Sequence, residues 1–243
     1  MNVYVPEYYP RFRCIASECR NTCCAGWEID IDPESLARYQ RMAGEFGARV
    51  KRSVSLDGTP HFILSERERC PLLNQDNLCD LILHEGEGAL CQICRDHPRF
   101  RNYYSSRVEM GLGLVCEEAA RVILSWPSRL RLIRLEGDGT EELTEDERWL
   151  LTFRDEWLRS LPEEGPKTRL METLIYRHLA DALYDGRLDE RIAFIRKAFQ
   201  TMTDGWRDGR ADTLAERARR FSDAVEYDDE ALEQWISGAG GDL

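Results

Sequence analysis

The sequence predicts a mainly α protein in which a cysteine-rich, metal- or cluster-bearing N-terminal half, with at most a small β element, packs on a helical C-terminal half. Three observations carry this. All nine cysteines lie between Cys14 and Cys116, and none falls in the 127 residues that follow. From about residue 144 onward, apolar side chains recur at the i, i+3, i+4, i+7 spacing of one helix face. Runs of strict alternation, the mark of half-buried strands, are few and short.

Taken in order, Asp32 and Pro33 make a helix start, with the cap residue followed by proline in the first turn. Leu36, Tyr39, Met42 and Phe46 continue at helical spacing and place a helix over Pro33 to Arg52. After the turn signal Asp57-Gly58, His61 to Leu64 is expected as a short strand, and Val108 to Val115 as another before a helix beginning near Cys116. Thr144 and Glu147 form a capping box for a helix faced by Leu150, Phe153, Trp157 and Leu161. Met171, Leu174, Ile175, His178, Leu179, Ala182 and Leu183 line a second helix ending at Asp185-Gly186, where His178 reads as a satisfied core histidine. Ile192, Ile195 and Phe199 mark a third, residues 211–224 a fourth, and Asp229 to Ile236 a short last one. The expected organisation is a cysteine-rich metal or iron–sulfur region over 1–135, a helical region over 143–237 and a flexible tail over 238–243. Residues 136–142, EGDGTEE, serve as linker unless the two regions form one continuous domain.

The chain is 42% hydrophobic and 32% charged, a globular balance without low complexity or repeats. Its net charge of −12 is uneven: residues 1–125 hold 18 acidic and 15 basic side chains, and residues 126–243 hold 27 and 18. Such a surface repels phosphate backbones, so no nucleic-acid partner is expected, and a basic partner suits it better. No apolar run approaches the length of a spanning helix, and the N-terminus lacks a secretory signal, so the expected location is the cytoplasm, without a membrane partner. In that reducing compartment clustered thiols act as metal ligands more often than as disulfides, and nine cannot all pair.

Cys14, Cys19, Cys23 and Cys24 fall within eleven positions, and Cys70, Cys79, Cys91, Cys94 and Cys116 form a second group. Four thiolates satisfy one zinc or one [4Fe-4S] cluster, so nine supply two sites, or one site plus other thiols. Soft sulfur ligands favour zinc, copper(I) and iron–sulfur clusters over magnesium or calcium. The spacings match neither a zinc ribbon nor the cysteine loop of radical enzymes, because Gly26 stands where the last cysteine of that loop belongs. The adjacent pair Cys23-Cys24 suits a larger cluster or two neighbouring sites, which favours iron–sulfur over zinc.

FRCIASECRNTCCAGWEIDID, CPLLNQDNLCDLI, GEGALCQICRDHPRF and EMGLGLVCEEAARVIL follow one another over residues 12–124. In these blocks the chain resembles the flagellin lysine N-methylases, through Cys23-Cys24 with Gly26-Trp27, Cys94 to Arg99, and Cys116 to Arg121. More distantly it is similar to small cysteine-cluster proteins described as zinc- or iron-chelating domains. The resemblance implies methyl transfer from S-adenosylmethionine to lysine amines of flagellin, with a cysteine-bound iron–sulfur cluster. It carries the ligand role to Cys14, Cys19, Cys23, Cys24, Cys70, Cys79, Cys94 and Cys116, with Cys91 the least supported.

Methyl transfer to lysine needs a deprotonated amine aligned behind the sulfonium methyl. Asp30, Asp96, His97 and Glu117, close in sequence to the cysteines, are the candidate acid–base groups, whereas Asp32 is foremost a helix cap. Trp27 and Tyr103, with Tyr104, offer aromatic faces to a cation, and Arg95 and Arg99, with Arg101, offer guanidinium groups to the carboxylate of the cofactor. No glycine-rich nucleotide fingerprint, nucleophile elbow or phosphate loop is present in the sequence. Two other functions use the same thiols: a metal-binding or redox-sensing module without methylase activity, and a zinc-stabilised adaptor whose acidic helices bind a basic partner.

Overall fold

The computed structural model describes residues 1–162, 165–206 and 211–240. In chain order the elements are β1 (Asn2–Pro6), α1 (Pro33–Arg41), α2 (Gly44–Arg52), β2 (Val54–Ser55), β3 (His61–Phe62), α3 (Asp80–Glu85) and α4 (Gln92–Asp96). There follow β4 (Arg99–Tyr103), β5 (Arg107–Leu112), α5 (Glu117–Leu124), β6 (Leu132–Glu136) and α6 (Glu145–Ser160). The chain continues with α7 (Pro166–His178), α8 (Ala182–Asp185), α9 (Leu188–Thr203), α10 (Ala211–Phe221) and α11 (Asp229–Ile236). Helices dominate, and the β structure is a small mixed sheet plus a two-stranded ladder. Among the described residues no helix is long and apolar enough to cross a membrane.

Two compact units emerge, one made of Met1–Arg13 with Pro98–Leu243 and the other of Cys14–His97. The first holds the sheet in the order β4-β5-β1-β6. Its central pair is parallel, with Val3 opposite Val108 and Tyr4 opposite Glu109, while β4 and β6 add antiparallel. The expected strand at Val108 to Val115 is found as β5, one residue earlier and ending at Leu112. From α5 to α11 the helices enclose the larger core, built around Leu114, Ile123, Leu170, Leu174, Ile195 and Phe221. α6 starts at the capping box: Thr144 Oγ1 accepts the Glu147 N–H and the Glu147 carboxylate accepts the Thr144 N–H. His178 is buried and bonded to the Glu226 carboxylate, which also faces Arg177 at 3.5 Å. Glu226 ends a π-turn, Ser222–Glu226, where the expected fourth helix gives way after α10.

Residues 136–142 lie within the first unit and are held there. Asn2 Nδ2 donates to Gly139 O at 2.8 Å, and the Glu142 N–H donates to Ser106 Oγ at 2.8 Å. Of the expected tail, residues 241–243 lie outside the described residues. Gly240 accepts from Lys197 Nζ at 2.5 Å and donates to Gln234 O at 2.8 Å.

The second unit has its own core of Ile29, Ile31, Tyr39, Val50, Phe62, Leu72 and Leu81. The single helix expected over Pro33 to Arg52 is two helices. Met42 leaves the helical region, Gly44 takes φ +75°, and a Cβ on Gly47 would stand 2.6 Å from the Met42 carbonyl. The break turns α2 back on α1, and Tyr39 and Val50 fall in one core. His61 and Phe62 pair with Ser55 and Val54, so the expected strand is real but shorter.

Candidate metal centre

Local turn chemistry in the second unit brings the segments of Cys24, Cys70 and Cys79 together. The Cys70 N–H donates to Cys24 O at 2.8 Å and the Gly26 N–H to Glu68 O at 3.0 Å, laying the Cys24 segment along residues 68–70. Asn74 then makes a turn, its Oδ1 accepting the N–H groups of Asp76 and Leu78 at 3.0 Å each, with Asn77 in the left-handed region. This turn returns Cys79 towards Cys70 through the Leu73–Cys79 bridge. Cys79 and Cys91 each occupy the position before a short helix, α3 and α4, and Cys94 follows Cys91 one turn later. Cys24, Cys70, Cys79, Cys91 and Cys94 all belong to or pack against the Leu72 core, with Cys91 fully buried.

The thiols act on one another. Burial pushes Cys70 up to about 12, and Cys24, Cys79 and Cys91 push the same way. Burial also raises Cys79. Cys94 is raised first by its bond to Cys91, while Cys91 is lowered to about 7 by that same bond; the proton belongs on Cys94 and the negative charge on Cys91. Cys24 is lowered to about 7, chiefly by the Cys23 thiol. Main-chain N–H groups work against burial at these sulfurs: Leu72 at Cys70, Leu81 and Ile82 at Cys79, and Cys94 at Cys91. The N–H groups favour thiolate, but at Cys70 and Cys79 burial outweighs them and keeps the thiol form.

Among the described residues, no three His, Cys, Asp or Glu side chains are arranged as a set that holds a metal ion. Nor does a disulfide join any of the nine cysteines among those residues. By the softness of sulfur the donors suit a thiolate-bound metal or cluster in kind, but the described sulfurs are not closed around one point.

Packing braces hold this arrangement. Asp32 Oδ1 accepts the Ser35 N–H at 2.9 Å, the cap expected from sequence, and its Oδ2 accepts the Gln92 N–H at 2.8 Å. Burial works upward on this carboxyl, but the bonds from Gln92 and Ser35 outweigh it and hold Asp32 down to about 2. Asp80, next to Cys79, takes Arg49 Nη1 at 2.5 Å and Asn74 Nδ2 at 2.9 Å. Tyr39 Oη donates to Ala89 O at 2.9 Å, fixing the loop before Cys91. Asp80, Arg49 and the second bond of Asp32 went unread in the sequence. The Asn74–Asn77 run of turn residues was the one visible signal among them.

The remaining candidates divide between the units. In the second, Cys14 and Cys23 are exposed and Cys19 is half-buried. Cys14 Sγ accepts the Ala16 N–H at 3.4 Å, and Cys19 Sγ donates to Asn21 O at 3.2 Å. The Trp27 indole N–H donates to Cys23 O at 2.8 Å, and its ring lies 6.1 Å from that of His97 at 30°. Asp96 ends α4 and His97 follows it, while Arg95 is exposed on α4 and Asp30 is exposed opposite His61. Trp27 and His97 are thus brought together beside the Cys23-Cys24 segment. In the first unit, the Arg99 guanidinium lies 5.4 Å from the centre of the Phe12 ring. Tyr103 is exposed on β4, Glu117 opens α5, and Cys116 stands before it. Tyr104 is a core residue beside Glu109, its phenol raised by burial.

About half of the chain is matched by known proteins. Over 146 residues the chain is 28% identical to a lysine N-methylase of Salmonella typhimurium strain LT2 and 30% identical to one of Salmonella choleraesuis strain SC-B67. Each alignment covers 54% of this chain and 35% of the relative. The flagellar biosynthetic protein FliU of Salmonella muenchen is 29% identical over 140 residues, covering 54% of this chain and 82% of that protein. Over about half its length the chain is thus similar to proteins named lysine N-methylase and FliU, which supports the resemblance read from the sequence. It spans about a third of the length of the two lysine N-methylases it matches. No family model and no solved structure matches the chain.

Proposed function

We propose that the chain is an S-adenosylmethionine-dependent protein-lysine N-methyltransferase that acts on flagellin and carries a cysteine-ligated iron–sulfur cluster. The observation that supports this reading is the similarity to lysine N-methylases over 54% of the chain. In the transfer, the methyl carbon leaves the sulfonium sulfur as its bond to the lysine nitrogen forms; the donor becomes a neutral thioether and the amine sheds a proton. Asp96 and His97 are the proton acceptors this reading favours, because the His97 ring is held against Trp27. Asp30 and Glu117 are the alternatives. In the second unit the Trp27 face attracts the sulfonium and Arg95 pairs with the donor carboxylate; Arg99 and Tyr103 are the corresponding alternatives in the first. Cys24, Cys70, Cys79, Cys91 and Cys94 are the thiols from which the four cluster ligands would come, with Cys14, Cys19 and Cys23 of the same unit and Cys116 of the other as further candidates.

Anaerobic purification with iron, zinc and acid-labile sulfide analysis tests the cluster, and labelled S-adenosylmethionine with flagellin tests the transfer. Iron with sulfide and label on lysine are expected. Absence of transfer from cluster-loaded protein would overturn the methylase reading, and zinc without sulfide would overturn the cluster. The thiols that pack around Leu72 support one second reading, a metal-binding or redox-sensing protein without methylase activity. Under it, metal is bound and S-adenosylmethionine is not.

A further inference from the structure

In the first unit, one face of α6 carries an aromatic ladder. Trp149 is 55% exposed, and its ring stacks on Phe153 with centres 5.6 Å apart and planes 4° from parallel. Trp157 follows one turn later, 6.1 Å from Phe153. Glu156 and Ser160 lie on this same face. Ile192 and Arg196 of α9 form the opposite wall of an open groove of about 270 Å³. Helix amphipathicity accounts for Phe153 and Trp157, which rest on the core, but it does not account for Trp149.

Charge decides what the groove takes. The rings present negative faces, and among the described residues the exposed Glu156 carboxylate has neither an ion pair nor a hydrogen bond. Asp155, Asp146 and Glu145 are exposed on the same helix, against Arg148 and Arg159. Residues 126–243 as a whole hold 27 acidic and 18 basic side chains, so the surrounding field favours a cation. Arg196 already lies over Trp157 at 5.8 Å, which leaves the Phe153 end, where Trp149 stacks just outside the groove lining, for an incoming charge.

We propose that this groove docks a lysine side chain of a protein partner, the ammonium held by Glu156 and the Trp149–Phe153 rings. The lysine stem lies along the apolar wall. Methylation keeps the charge, so a methylated lysine fits as well. The identity of the partner as a substrate protein rests on the lysine-methylase reading; the groove is a docking site, separate from the methyl-transfer chemistry.

The test measures calorimetric binding of the full chain, without S-adenosylmethionine, to an alanine-based peptide carrying lysines and to the same peptide with glutamine in their place. The lysine peptide is expected to bind more tightly, with affinity falling as salt rises. Trp149→Ala and Glu156→Gln change exposed side chains, and each is expected to weaken binding about 2- to 5-fold with unchanged circular dichroism. Equal binding of the two peptides, no binding of either, or wild-type affinity in both variants overturns the proposal. So does a dimer in sedimentation that Trp149→Ala dissolves, because a second copy would then fill the groove. Methyl transfer with binding indifferent to Trp149 and Glu156 removes only the docking site. Lysine-selective binding without methyl transfer removes only the methylase reading.

Discussion

Asp32 ties together two helix starts that lie sixty residues apart: Oδ2 accepts the Gln92 N–H at 2.8 Å while Oδ1 accepts the Ser35 N–H at 2.9 Å. Gln92 opens α4, the helix bearing Cys94, and directly follows Cys91. One carboxylate thus registers α1 against the most buried part of the cysteine cluster. A lost cap costs about 1 kcal/mol, so Asp32→Ala is expected to lower stability by about 2 kcal/mol. Asp32→Asn keeps one acceptor oxygen but turns an amide N–H group towards a second N–H donor, so it should recover only part of that loss. Denaturant midpoints of the three proteins check this, and an alanine variant as stable as wild type would show that neither cap matters.

Gly47 decides whether α2 can return beside α1. A methyl group there would meet the Met42 carbonyl carbon and oxygen at 2.6 Å, and backbone cannot yield as a side-chain tip does. Alanine improves helix propensity by about 1 kcal/mol, which acts in the opposite direction. Overpacking of a fixed backbone costs about 1 to 3 kcal/mol, so Gly47→Ala is expected to destabilise the second unit on balance. Thermal melting followed by circular dichroism reads the sign; a raised midpoint would mean that the turn relaxes freely.

Legibility in the sequence followed the range of the interactions. The Thr144–Glu147 box and the Asp32 cap depend on neighbours within a turn and are present in the structure, as is the apolar stripe as far as His178, where α7 ends and leaves Ala182 and Leu183 to α8. The break at Met42 was masked because Leu36, Tyr39, Met42 and Phe46 keep helical spacing across it, and only Gly44 and Gly47 marked the turn. β1 and β6 escaped because pairing makes them strands: Tyr4 meets Glu109 and Arg134, both more than a hundred residues away. β4, with its sequence RFRNY, reads as polar although Asn102 is buried and its Nδ2 donates to Tyr176 O at 2.8 Å. For the site, cysteine clustering was visible in the spacing, but the braces from Arg49, Asn74 and Tyr39 were not. They depend on which loops the fold brings together.

His178 and Glu226 give the first unit an acid-sensitive core. Burial lowers His178 below its ordinary 6.5 despite the attraction of Glu226, with Arg177 acting in the same direction as burial and Asp181 against it. Burial pushes Glu226 up, but Arg177 and His178 outweigh it and hold the carboxyl down to about 2. Each group therefore binds more protons unfolded than folded, so both contributions are lost as pH falls. The His178 contribution declines from about pH 6.5 downward, and that of Glu226 between about 4.5 and 2. Replacing the imidazole in His178→Gln removes the first decline and leaves the second. The stability difference between wild type and variant, measured from pH 8 to pH 4, should shrink as pH falls below about 6.5. A difference independent of pH would mean that His178 titrates alike in the folded and unfolded chain, and one that grows as pH falls would mean that it is charged in the folded protein.

Cys91 has no exposed surface, and it shares a proton with Cys94 one turn along α4. Sequence resemblance gave it the weakest ligand assignment of the nine, yet burial and neighbours place it as deep in the cluster as Cys70. If the cluster forms from the sulfurs gathered here, Cys91→Ser is expected to reduce bound iron and sulfide by at least about half, since a closed thiolate site does not tolerate loss of one ligand. Cys91→Ala separates ligation from packing, because it keeps an apolar surface but offers no donor atom. Both variants should lose metal together, as measured by elemental analysis after anaerobic purification, with helical content retained. Full metal content in both would assign Cys91 to packing and leave ligation to the remaining cysteines.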